Sequence, residues 1–108
     1  MENKHVKSQC VSAAVAIFGD KWTPILIRVL MDETLRFSQI QEKAGGINPR
    51  TLSERLTRLE EEGIIKKVIF PEVPPRTEYT LTKKGEDLIP ILESMSEWGE
   101  KYPGKEIV

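Results

Sequence analysis

Histidine and cysteine each occur once in this 108-residue chain, at His5 and Cys10. That scarcity excludes an internal disulfide framework and leaves no His/Cys cluster for a metal site. There is also no Gly-rich phosphate loop and no His/Cys or His/carboxylate constellation, so nothing is present to carry nucleophilic or metal chemistry. The reading is therefore not an enzyme, with no cofactor and no metal. Long apolar runs are missing too. The stretch from Pro24 to Met31 is interrupted by Arg28 and falls short of the roughly 18 residues a membrane span requires, so no membrane contact is expected. Lys4 and Lys7 ahead of Val11–Phe18 imitate a signal peptide, but Asp20, Lys21 and Trp22 follow without a recognisable cleavage site. The segment reads as a small-residue helix of a cytoplasmic protein.

A basic excess is the other absence. The net charge is −1, poor for a nucleic-acid binder until its distribution is considered. From Arg50 to Lys84 there are eight Lys or Arg against six Asp or Glu, whereas from Gly85 to Val108 there are two against six. The acidity is largely C-terminal. The length suits one domain with a real core and no separate effector domain, its body running from about 10 to 100 between flexible tails at 1–7 and 103–108.

What is present is helix punctuation. Ser8–Phe18 reads as a first helix, closed by Gly19-Asp20. Thr23-Pro24 reads as cap plus first helical residue of a second, with Trp22 anchoring it and Ile25, Leu26, Val29 and Leu30 inward. Leu35–Phe37 is at most a minor strand, and Ser38 is expected to cap a third helix ending near Ala44. Gly45-Gly46 turns the chain. Asn48-Pro49 repeats the cap-plus-Pro signature and opens a fourth helix that Gly63 ends.

Two helices joined by a Gly-containing turn match a helix-turn-helix. Ile64–Phe70 and Thr77–Leu81 then read as a hairpin with a stiff tip, Pro71–Arg76. Thr82 caps a last helix from Lys83 to about Trp98, which Pro90 should kink or start later. The fold class is mainly α with a small antiparallel β-hairpin, in the order a winged helix-turn-helix needs.

At about 100° per residue, Leu52, Leu56 and Leu59 share one side of the fourth helix. Arg50, Glu54 and Thr57 lie nearly opposite, with Thr51 and Arg58 flanking. A helix fits the major groove, where Arg bonds guanine and the Thr methyl meets thymine. Arg50 and Thr51, in the first turn, are the base-reading candidates. Around them Ser38, Asn48, Pro49, Glu54, Arg55, Thr57 and Arg58 complete the candidate surface. Lys66, Lys67 and Arg76 on the hairpin are candidates for phosphate or the minor groove. The alternative is a solvated charged face, with the lysines protecting a strand edge.

Five stretches also resemble a known family. They are Gly19-Asp20-Lys21-Trp22, Leu35-Arg36-Phe37-Ser38-Gln39-Ile40, Ile47-Asn48-Pro49-Arg50-Thr51-Leu52, Leu59-Glu60-Glu61-Glu62-Gly63, and Pro71-Glu72-Val73-Pro74-Pro75-Arg76 continuing through Tyr79 to Thr82. Together they resemble the HxlR-type branch of bacterial winged helix-turn-helix transcriptional regulators, within the MarR-like superfamily. The resemblance implies a homodimer whose terminal helices pack together and whose fourth helices read a palindromic operator on double-stranded DNA. Ala13, Ala14 and Ile17 with Leu88, Leu92, Met95 and Trp98 offer apolar surface for that dimer, or else finish the monomer core.

Family members include thiol-based sensors with a Cys near the N-terminus. Cys10 is thus a candidate for an oxidant or small-molecule response, the alternative being a small buried hydrophobe. A winged module that binds protein instead of DNA is the alternative function.

Overall fold

Local chemistry at the helix ends decides where most elements begin. The computed structural model describes residues 3–104, with side chains from Cys10 onward. The order is α1 (Asn3–Phe18), α2 (Trp22–Val29), β1 (Leu35–Arg36), α3 (Phe37–Lys43), α4 (Pro49–Glu61), β2 (Ile65–Phe70), β3 (Arg76–Leu81), α5 (Lys83–Glu86) and α6 (Ile89–Lys101). This is a winged helix-turn-helix, mainly helical with one small antiparallel sheet.

Three of the expected helix starts change. Helix α1 starts at Asn3, not Ser8. Helix α2 is capped from Asp20 instead of Thr23: Asp20 Oδ1 accepts from the Trp22 and Thr23 amides at 2.8 and 2.9 Å, and the Thr23 hydroxyl donates to Oδ2 at 2.6 Å. One Asp20 oxygen takes both free amides while the other accepts from the Thr23 hydroxyl, so the helix starts at Trp22, ahead of Thr23. Ser38 does not cap α3 but sits exposed in its first turn. Gln39 Oε1 closes that end by accepting from the Arg36 amide at 2.9 Å.

Helix α4 follows expectation. Asn48 Oδ1 accepts from the Arg50 and Thr51 amides at 2.8 and 3.3 Å, and Pro49 fills the first position. Gly63, at φ 76°, makes the left-handed stop that a side chain would strain. Pro90 splits the expected last helix in two: α5 ends at Glu86 and α6 begins at Ile89 with the proline in its first turn. There the missing amide costs nothing.

The sheet order is β1-β3-β2, all antiparallel. The minor strand finds its partner across the chain, Leu35 opposite Tyr79. Under this sheet lies one core, with Leu26 and Ile27 of α2 and Leu30 at its end, Ile40 of α3, Leu52, Leu56 and Leu59 of α4, Ile64, Ile65, Leu81 and, from α6, Leu92. At the base of the hairpin, the Thr82 hydroxyl reaches the carbonyls of Gly63 and Ile64 at 2.5 and 3.1 Å and accepts from the Gly85 amide at 3.1 Å. A side chain at Gly85 would collide with the Ile64 carbonyl, so α5 can approach this closely only through glycine.

The outline is long, 57 × 34 × 24 Å with a radius of gyration of 15.7 Å. A compact chain of this length has about 13 Å. The segment Cys10–Phe18 of α1 makes an 83° bend with α2. Among the described residues, no single helix is long and apolar enough to cross a membrane.

Candidate nucleic-acid interface

The leucine stripe leaves one face of α4 free. Leu52, Leu56 and Leu59 are buried, while Glu54, Thr57 and Arg58 are exposed and Thr51 is half-buried. The Arg50 side chain is 89% exposed and meets Glu54 at 3.6 Å. A surface pair of that kind is worth at most about 1 kcal/mol and leaves Arg50 free to move. Asn48 is occupied in capping the helix, with Pro49 exposed beside it. Ser53, absent from the expected set, is also exposed on this helix; three residues beyond Arg50, it could have been found by the same 100° count.

The other arginines of α4 bond back to the α1–α2 region of the protein. Arg55 is half-buried, its Nε 3.3 Å from Asp20 Oδ1. That contact is an ion pair without hydrogen-bond alignment, for the Nε has no hydrogen-bond partner. Arg58 Nη2 donates to the Ala16 carbonyl near the end of α1 at 2.7 Å. Asp20, expected only to close the first helix, thus both caps α2 and faces Arg55. Burial raises its pKa, but the Thr23 hydroxyl, the Thr23 and Trp22 amides and the Arg55 charge outweigh that and hold it below the ordinary value.

On the hairpin, adjacent residues point to opposite faces. Lys67 stands opposite Tyr79 and Lys66 opposite Thr80, both lysines exposed. Burial, then the Glu60 charge, raises the Tyr79 phenol. Arg76 lies 4.1 Å above the Phe70 ring and contacts Glu72 and Glu78 at 3.0 and 3.2 Å. Between the wing tip and the start of α3 is an open groove of about 500 Å³, lined by Arg36, Phe37, Ser38 and residues 72–77.

The arms divide differently from expectation. Leu92 is 5% exposed and belongs to the core, because α6 lies across α2 there. Ile17 and Leu88 are half-buried against the same core, Ala14 is half-buried, and Ala13 is exposed. Met95 and Trp98 do remain outside, with Trp98 66% exposed and 5.5 Å from the Tyr102 ring. Val11 and Val15, four residues apart on α1, are exposed apolar residues that the stripe of Ala13, Ala14 and Ile17 overlooked. Cys10 is exposed, not packed within this chain. No group of three metal-ligating side chains occurs among the described residues.

Residues 17–107, which hold this helix and its wing, match the model of the HxlR-like helix-turn-helix family. The chain belongs to that family. An HTH-type transcriptional regulator of Methanothermobacter thermautotrophicus is 45% identical over 92 residues, 85% of this chain and 70% of the relative. The HTH-type transcriptional regulator YodB of Bacillus subtilis is 35% identical over 92 residues, 85% and 82% of the two chains. The reduced form of YodB superposes with a TM-score of 0.77 at 35% identity, covering 87% of this chain and 94% of that one. The oxidized redox regulator HypR gives 0.78 at 34% identity, covering 90% and 98%. The HxlR-like match begins at Ile17, so Cys10 lies outside it. The relatives named here are transcriptional regulators, not enzymes, and they extend the expected bacterial range to an archaeal source.

Proposed function

We propose that this HxlR-like protein is a sequence-specific DNA-binding transcriptional regulator, acting in the cytoplasm as a homodimer on a palindromic operator. The observation that carries the reading is the free face of α4 beside a three-stranded wing, with Arg50 89% exposed at the helix's leading end. Arg50 and Thr51 read base edges, and Ser53, Glu54 and Thr57 lie along the same surface. Ser38 at the start of α3 and Lys66 and Lys67 of the wing supply contacts to the DNA backbone.

The dimer forms through the arms. Val11 and Val15 of α1, Met95 and Trp98 of α6 and Tyr102 just beyond its end leave large apolar side chains uncovered, as a surface for a second copy would. Two such copies would hold their α4 helices about 34 Å apart, or a multiple of it, to meet successive major grooves on one side of the duplex. Cys10, exposed on α1, is the residue an oxidant or electrophile would modify. YodB was solved after diamide treatment, and HypR was solved as an oxidized redox regulator.

Selection of bound sites from random duplexes tests the reading. A palindrome is expected, with log K falling by about 0.9 per phosphate contact per decade of salt. Absence of any duplex binding at low salt would overturn it in favour of a protein-interaction module. With Cys10 fully modified, an unchanged affinity would remove the thiol response alone.

A further inference from the structure

Of the three arginines on α4, two are tied to other parts of the chain, Arg55 half-buried and Arg58 along the surface, and both reach the same neighbourhood. Arg55 meets Asp20 in the turn between α1 and α2, and Arg58 meets the carbonyl of Ala16 four residues earlier. Asp20 is itself fixed by three hydrogen bonds from Trp22 and Thr23, and Thr23 is buried. The carboxylate therefore cannot follow Arg55 outward without unmaking the start of α2. An arginine held this way, with its side chain 30% exposed, is poorly placed to trade its partner for a phosphate.

We infer that Arg55, acting through Asp20, is a positioning residue that sets the orientation of α4 on the body of the domain, with Arg58 as a second tether to the end of α1. The inference rests on the DNA-binding reading above and departs from the expectation that these two arginines touch DNA. The two anchors lie one turn apart on the same helix, so together they resist both rotation of α4 about its axis and tilt of its C-terminal half. Rotation by a few degrees leaves backbone attraction nearly intact but spoils base contacts, which depend on angle. Discrimination between sequences, more than general affinity, is what this pair protects.

The test measures affinity for a duplex selected from a random pool and for a random-sequence duplex of equal length, across a salt series. Arg55→Ala should lower the ratio of the two affinities roughly fivefold to tenfold while leaving the salt slope unchanged. Asp20→Asn keeps an acceptor for the α2 amides and removes the charge, so it separates the alternatives by sign. If Arg55 works through Asp20, this variant loses discrimination too, and the double variant is no worse than either single one. If Arg55 contacts a phosphate, removing the nearby negative charge strengthens binding, and Arg55→Ala, which acts in both copies of the dimer, reduces the slope by about 1.8, or about 0.9 per copy; either result overturns the inference. Circular dichroism and thermal melts on each variant confine the comparison to folded protein. Wild-type protein that binds no duplex refutes the DNA reading itself, and the inference with it. Wild-type binding with discrimination unchanged in Arg55→Ala refutes the inference alone.

Discussion

Helices α4 and α6 are of equal length, 13 residues each, and the domain treats them in opposite ways. Helix α4 buries three leucines, is capped by Asn48 and stopped by Gly63, and is tied to the turn region by Arg55 and Arg58. Helix α6 buries only Leu92 and carries Met95 and Trp98 outside, with Tyr102 just beyond its end. The first is finished within one chain and presents polar groups. The second is unfinished and presents apolar ones. The second is also the more apolar in composition, yet it buries less; what separates them is which residues already have partners.

Breaking the finished helix has the largest expected effect. Leu56→Ala removes a fully buried side chain from the centre of the core and should cost about 2–5 kcal/mol. A thermal melt should show the transition falling by more than about 8 °C for a domain of this size. The matching change in the unfinished helix, Trp98→Glu, should barely alter far-ultraviolet circular dichroism. Sedimentation equilibrium should instead show dimer dissociation raised by at least about thirtyfold, as for loss of an aromatic anchor worth about 2 kcal/mol. An unchanged association constant would mean that Trp98 stands outside the contact between copies.

The smallest effect concerns the tether of the finished helix and sharpens the contrast through pH. Asp20 titrates lower in the folded protein than its ordinary value of 3.8. Its ionised form therefore stabilises the fold above the unfolded value, and that contribution fades as pH falls through the folded one. Denaturation between pH 5 and pH 2 should be shallower in Asp20→Asn than in the wild type. Equal slopes would show that the carboxylate does no more than an amide there.

Much of this was legible in the sequence because it is local. Asn48-Pro49, the spacing of Leu52, Leu56 and Leu59, Gly63 and the β-branched runs on either side of Pro71–Pro75 each announce their element within a few residues. The departures come from partners far along the chain. Arg58 finds Ala16 across 42 residues, Arg55 finds Asp20, and Leu35 pairs with Tyr79. Periodicity marks a charged face but not the destination of a long, flexible side chain. Leu92 illustrates the same limit for apolar residues, since one helical stripe supplied both a core residue and the exposed Met95 and Trp98. Thr23 departs for a different reason: its hydroxyl is spent as a donor to Asp20, whose other oxygen takes both amides at the helix start.

The meeting of Thr82, Gly85 and Ile64 has a consequence for reach. One hydroxyl and one absent side chain join the trailing end of α4, the root of the wing and the beginning of the C-terminal arm into a single knuckle. In a pair of copies clasped by their arms, the span between the two reading helices would be measured from that knuckle. The choice of which groove-to-groove distance on DNA the pair accepts would then depend on a residue that never approaches a base.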